Sequence, residues 1–159
     1  MTAPTLLITT PTDREIAMTR VFDAPRSLVF DAMTKPELMK RWYHGPDGWI
    51  LSVCEVDLRV GGRYRCVWSG EGKKDMAMGG EYREIVVPER IVQTEQFEKA
   101  WYPGEAIITL EFAEQDGKTT FTGTMTYDTR EIRDAVAKSG MERGVTASYD
   151  RLADLLATL

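Results

Sequence analysis

The chain is 159 residues long, 43% apolar and 28% charged, proportions that exclude a wholly disordered chain and suit one domain rather than two. Twenty Lys and Arg against twenty-five Asp and Glu leave a formal charge of −5, which argues against a general electrostatic grip on nucleic-acid phosphates. Apolar runs are short, as in Ala106-Ile107-Ile108, so no segment is expected to enter a bilayer, and Met1–Thr10 lacks the basic and apolar regions of a signal peptide, which makes the cytoplasm the expected location.

The opening residues, 1–13, are rich in Thr and Pro and are expected to form a flexible arm. A single domain is expected over 14–159. Glu15 to Phe22 reads as a strand with Ile16, Met18, Arg20 and Phe22 of one parity. An arginine on an inward-facing position needs a partner. Ala24-Pro25 ends that strand and opens a helix, because Pro is tolerated in a first turn. Leu28, Val29, Ala32 and Met33 then recur at helical spacing. Thr34-Lys35-Pro36 interrupts it, and a second short helix is expected from about Glu37 to Trp42. The segment Tyr43-His44-Gly45-Pro46-Asp47-Gly48 is a loop.

The middle of the chain reads as β structure. Strands are expected over Trp49–Leu58, Arg63–Ser69, Met76–Val87, Arg90–Glu98, Ala106–Ala113 and Lys118–Tyr127. Gly61-Gly62 and Gln115-Asp116-Gly117 mark tight turns. In the last strand Thr120, Thr122, Thr124 and Thr126 form a solvated face opposite Phe121, Met125 and Tyr127. Thr129 is an N-cap candidate, and Ser139-Gly140 splits the remainder into a short and a long helix. Met141, Val145, Ser148, Leu152, Leu155 and Leu159 form one stripe of the long helix. A curved antiparallel sheet of about six or seven strands must bury one face, and this helix is the available cover. Such a sheet gripping one helix leaves a gap, for which Trp42, Tyr64, Trp68, Met78, Phe97 and Trp101 are wall candidates.

The chemistry-bearing residues are few. His44 is the single histidine and the one side chain that titrates near neutrality unperturbed. In a Gly/Pro loop, without a visible partner, it reads first as a loop histidine on the surface, although Trp42, Tyr43 and Trp49 beside it could line a pocket mouth. Cys54 and Cys66 share inward parity but lack the further ligands zinc requires, so they read as reduced, buried thiols. No metal site, cofactor or catalytic set is expected. Asp57 and Arg59 read as a turn-stabilising ion pair. Glu95 is more informative. If Ile91 and Phe97 face inward, Gln93 and Glu95 do too, and an enclosed carboxyl becomes a candidate acid or base. The opposite register buries Val92, Thr94 and Gln96, and the sequence leaves both open. Gly144 within the long helix suggests a close backbone approach to a strand or room for a ligand. Ser148 is the polar member of the stripe, with a hydroxyl that either bonds to a helix carbonyl or meets a ligand.

An ordered set of motifs then stands out. Arg20-Val21-Phe22-Asp23-Ala24-Pro25 leads into Val29-Phe30-Asp31-Ala32, followed by Lys35-Pro36-Glu37-Leu38 and Arg41-Trp42. Asp57-Leu58-Arg59-Val60-Gly61-Gly62-Arg63-Tyr64, Gly80-Glu81-Tyr82, Pro88-Glu89-Arg90-Ile91-Val92, Ser139-Gly140-Met141-Glu142-Arg143-Gly144 and Asp150-Arg151-Leu152 complete it. From about Arg14 to Leu159 the chain resembles the bacterial SRPBCC proteins related to the activator of the heat-shock protein 90 ATPase. They belong to the START-like superfamily, with a helix-grip fold. The resemblance implies α+β architecture and a cavity between the sheet and the C-terminal helix, without fixing a chemistry. Cys66, Tyr82, Glu95, Phe121, Met141, Val145, Ser148 and Leu152 join the candidate walls. The leading expectation is a binder of a small hydrophobic molecule, as monomer or homodimer. A chaperone co-factor or interaction module is the alternative. The chaperone activators carry an additional N-terminal domain, which the dozen residues before the first strand do not supply. A cavity enzyme using Glu95 or His44 is the third reading.

Overall fold

The computed structural model describes residues 5–159. Eight strands and four helices follow in the order β1 (Leu7–Thr9), β2 (Glu15–Phe22), α1 (Arg26–Thr34), α2 (Pro36–Met39), β3 (Ile50–Val56), β4 (Arg63–Ser69), β5 (Met76–Val86), β6 (Arg90–Phe97), β7 (Ala106–Gln115), β8 (Lys118–Thr126), α3 (Arg130–Ala137) and α4 (Met141–Leu156). The strands form one antiparallel sheet in the order β1-β2-β8-β7-β6-β5-β4-β3. This is the expected α+β helix-grip arrangement with one strand more than the six or seven expected. The extra strand lies inside the segment read as a flexible arm: Leu7, Ile8 and Thr9 pair with Thr19, Met18 and Ala17. Three residues with Leu7 mostly exposed carry no amphipathic signal, so backbone pairing alone makes this strand. The first four residues of the arm lie outside the described residues.

Local chemistry sets the helix ends. Pro25 precedes α1 in extended conformation, and Lys35 is extended before Pro36, as a residue preceding proline must be. The helix α2 is one turn, shorter than expected, because Trp42 leaves it to donate its indole N–H to the Ala32 carbonyl at 2.8 Å. Thr129 caps α3, accepting from the Ile132 N–H at 3.1 Å. Gly140, at φ 86°, makes the left-handed step between α3 and α4 that non-glycine residues avoid.

The inner face of the sheet is covered by α1, α3 and α4. Phe22, Phe121, Leu152, Val29 and Ile91 are almost wholly buried there. Arg20 is 7% exposed and does find a partner, donating Nη1 to Asp150 of α4 at 2.6 Å, with its guanidinium 5.4 Å from the Phe22 ring centre. Its Nε is left unpaired.

Between β5 and β6 the ladder is locally rewired. The Tyr64 hydroxyl donates to the Thr94 carbonyl at 2.6 Å, and the Thr94 hydroxyl accepts from the Glu81 N–H at 3.0 Å. Gly80 lies against this point so closely that a Cβ would collide with the Thr94 carbonyl. Backbone on both sides cannot yield as a side chain does, so Gly80→Ala should destabilise by at least the ~1–3 kcal/mol typical of overpacking. Urea unfolding of the two proteins checks this; an unchanged midpoint would contradict the close approach.

Candidate functional site

The neighbouring strand settles the register of β6. Ile91, Gln93 and Glu95 stand opposite Leu110, Ile108 and Ala106 of β7. Ala106 and Ile108 are buried, so the parity of Ile91, Gln93, Glu95 and Phe97 faces inward. Thr94 is buried as well, through its bonds to Tyr64 and Glu81 rather than through apolar packing.

Glu95 therefore carries a carboxyl into the region beneath α4. Burial alone lifts it from 4.5 to about 7. Its charge acts on Tyr43, Tyr64, Tyr102, Tyr127 and Tyr149, raising each phenol after the larger effect of burial. These rings come from the loop after α2, from β4, from the β6–β7 loop, from the end of β8 and from α4. They place Glu95 at the meeting point of the interior. Among the described residues, neither Glu95 nor the phenols of Tyr43, Tyr102 and Tyr149 has a hydrogen-bond partner. Yet among the described residues the one side-chain polar atom both hidden and unpartnered is Arg20 Nε. Each of the others thus retains accessible surface, although protein encloses Glu95 and Tyr43 deeply.

The apolar interior divides around the same place. One cluster, under α1 and α4, contains Phe30, Trp42, Tyr64, Trp68, Met78, Phe121 and Tyr149. The other contains Ile16, Met18, Tyr102, Ile108, Met125 and Val136. Phe97, Leu110 and Val145 touch both and are only partly buried. Two shallow depressions lie elsewhere, around Arg14 and Thr126 and around Arg26, Glu89 and Thr122, and touch none of the Glu95 group.

One side of this region is held by a strapped loop. Gly45 N–H donates to Ser148 Oγ at 2.9 Å, and Arg151 donates to the Gly45 carbonyl at 2.8 Å and to Asp47 at 3.1 Å. Trp68 Nε1 donates to the Tyr43 carbonyl at 2.8 Å. His44 accepts the Leu51 N–H on Nδ1 at 3.0 Å. Its pKa is lowered by burial and by Arg151. The imidazole thus fastens the loop to β3 through Nδ1. Ser148 neither bonds to a helix carbonyl nor waits for a ligand; it holds the loop. Gly144 approaches Pro46 of that loop, 3.0 Å from where a Cβ would stand, rather than a strand or an open space.

Of the wall candidates, Tyr64, Cys66, Trp68, Met78, Tyr82, Glu95, Phe97, Met141 and Val145 lie in the interior with Trp42. Phe121 and Leu152 are at 0% exposure and are solid core. Trp101 is misplaced by the sequence reading. It is 50% exposed, stacked edge-on against Tyr102 at 5.0 Å. Tyr102, which the sequence reading overlooked, takes the inward position. Two adjacent aromatics in an irregular loop carry no periodicity to tell them apart. Cys54 and Cys66 are free, buried and directly paired across β3 and β4, with Cys54 Sγ 3.7 Å from Met39 Sδ. The neighbouring thiol holds Cys54 below the usual thiol value, and the same neighbour together with burial pushes Cys66 up. Arg59 and Asp57 form the expected exposed pair at 2.8 Å.

A single curved sheet, two short helices after its long first-paired strand and a terminal helix over its inner face define a helix-grip domain. The chain belongs to the family described as Activator of Hsp90 ATPase homolog 1-like protein, which it matches over residues 23–157. A protein from Rhodobacter sphaeroides is similar at 28% identity, covering 98% of this chain and 99% of that one, with a TM-score of 0.91. One from Chromobacterium violaceum is similar at 29% identity over 91% and 98%, with a TM-score of 0.79. A Mycobacterium smegmatis protein, at 22% identity and a TM-score of 0.85, shares the fold. Comparison with curated proteins found no match.

Two expectations follow from the site. Ser148→Leu overpacks a position 1% exposed and strands the Gly45 N–H, so it should lower stability by about 1–3 kcal/mol in chemical unfolding. A more stable variant would show the site to be open. For Glu95, the folded chain holds its proton more tightly than the unfolded chain. The stability this confers is complete below pH 4.5 and is lost as pH rises through about 7. The loss is on the order of 3 kcal/mol. Glu95→Gln keeps the neutral shape, so the stability gap between variant and parent should widen in the variant's favour across that window. Parallel curves would show the carboxyl to be solvated.

Proposed function

We propose that the chain binds a small, largely apolar molecule between the sheet and α4, with the Glu95 carboxyl as its ionisable anchor. The observation that carries this reading is Glu95 itself. It is enclosed by protein and lacks a protein hydrogen bond, yet it keeps accessible surface. A buried carboxyl that no protein group satisfies is costly unless something else can occupy the space beside it. The partly buried apolar residues between the two clusters, Phe97, Leu110 and Val145, supply the apolar part. Met78, opposite Phe97 across β5 and β6, gives adaptable surface. No nucleophile with a positioned base accompanies Glu95, so binding is favoured over covalent chemistry.

The test is a displacement assay with an environment-sensitive fluorescent probe, paired with thermal shift on an apolar ligand panel. A ligand at a hundred times its Kd should add about 2.7 kcal/mol of stability. Val145→Phe should keep the fold and weaken uptake at least tenfold by filling the space. No stabilisation by any ligand would overturn the reading. Stimulation of a host chaperone's ATPase, equal for parent and Val145→Phe, would favour instead the surface-directed role that the family's description carries.

A further inference from the structure

Charge is unevenly distributed between the interior and its rim. The two buried cations are both engaged. Arg20 is bonded to Asp150, and Arg133 to Asp134 and to the Thr12 carbonyl. Arg151, partly buried, is bonded to Gly45 and Asp47. The imidazole of His44 already accepts a backbone N–H. Among the described residues each of these basic side chains is thus already engaged, and Arg20 Nε is the one buried side-chain donor left without a partner. The one interior anion, by contrast, has neither an ion-pair partner nor a hydrogen bond among the described residues.

The surroundings of Glu95 have a matching character. The phenols of five tyrosines, each from a separate segment, lie within electrostatic reach of the carboxyl. The unpartnered phenol oxygens of Tyr43, Tyr102 and Tyr149 can accept hydrogen bonds from an ammonium group. A fatty acid would bring a second negative charge beside Glu95 with nothing to neutralise it. A neutral lipid would leave the carboxyl as unsatisfied as it now is. A protonated amine gives the carboxylate the counter-ion that the chain withholds.

We infer that the interior site selects amines with an apolar body, recognised by the Glu95 carboxylate inside a ring of tyrosines. This rests on the proposed binding role and narrows it to one ligand class. On binding, the ammonium pairs with the carboxylate. Below neutral pH, where Glu95 is protonated in the free protein, its proton leaves to solvent as the pair forms.

The experiment compares ligands that share a body and differ in head group: naphthylmethylamine, naphthylmethanol and naphthoate, then octylamine, octanol and octanoate. Calorimetric titration of the full chain at pH 8 should find the amines at least tenfold tighter than the alcohols, with no measurable binding of the acids. At pH 6 the amine enthalpy should depend on buffer ionisation, reporting proton release, whereas the alcohol enthalpy should not. Glu95→Gln, a neutral shape-match expected to fold, should abolish the amine preference, bringing the amines to the affinity of the alcohols. Alcohols or acids that bind as tightly as the amines would overturn the amine assignment and leave the binding role standing. Failure of all six ligands, with the fluorescent probe also undisplaced, would overturn both.

Discussion

One sheet has one inner face, and this chain closes it with three helices, of which α4 is the longest. Everything beneath α4 follows from that arrangement. A helix approaches a curved sheet along a line, so contact is tight where large rings bridge the distance and looser on either side. Tyr149 provides the tight contact. Its ring meets Phe22, Trp42 and Phe121 at centroid distances of 6.3, 5.6 and 5.5 Å. Toward the helix N-terminus the bridging residues are smaller, Val145 and Met141, and there the interior separates into two clusters. The helix is held in this position by polar contacts at its flanks. Arg20–Asp150 ties it to β2, and Ser148 and Arg151 tie it to the loop after α2. Directional bonds at the margins fix the helix without requiring dense packing along its whole length.

Polar atoms within this interior fall into two kinds. Those of Trp42, Tyr64, Trp68, Ser148 and Thr119 each have a protein partner and act as fasteners. Those of Glu95, Tyr43, Tyr102 and Tyr149 have none. A domain built only for stability would pair or remove the second kind, because a well-packed apolar group of the same volume avoids their desolvation. Their concentration around one point is what the proposed binding role draws on. The same sorting separates Ser148 from Glu95: both are polar residues on inward positions, but one is consumed by the fold and the other is left over.

The fold was largely legible in the chain. Glu15–Phe22 puts Ile16, Met18 and Phe22 on one parity, Thr129 is placed to cap, Gly140 supplies the left-handed step, and the stripe of Met141, Val145, Ser148, Leu152 and Leu155 repeats at helical spacing, whereas Leu159, read as its continuation, lies beyond α4 and is half exposed. Each is a local signal whose physics operates within a few residues. The site was less legible because it depends on relations between distant segments. The register of Glu95 was ambiguous within Ile91–Phe97, where apolar and polar residues do not alternate. Ala106 and Ile108, opposite it on β7, break the tie. Ser148 and Gly144 answer to Gly45 and Pro46, a hundred residues earlier, and no local pattern announces a loop that folds back under a helix. Trp101 and Tyr102 show the same limit in miniature, since bulk and aromaticity suggest burial for both and geometry allows it for one.

The two ends of the sheet differ in a way that bears on behaviour in a crowded solution. On one side the sheet ends with β1, only three residues long. On the other it ends with β3, whose pairing with β4 shifts between Leu51 and Val53. A short strand offers few free backbone groups, and a bulge twists the edge away from a flat template. Neither margin presents the long, straight row of donors and acceptors onto which another chain could add a strand. The half-exposed Leu7 and Ile50 at these margins are therefore poor seeds for fibrous growth.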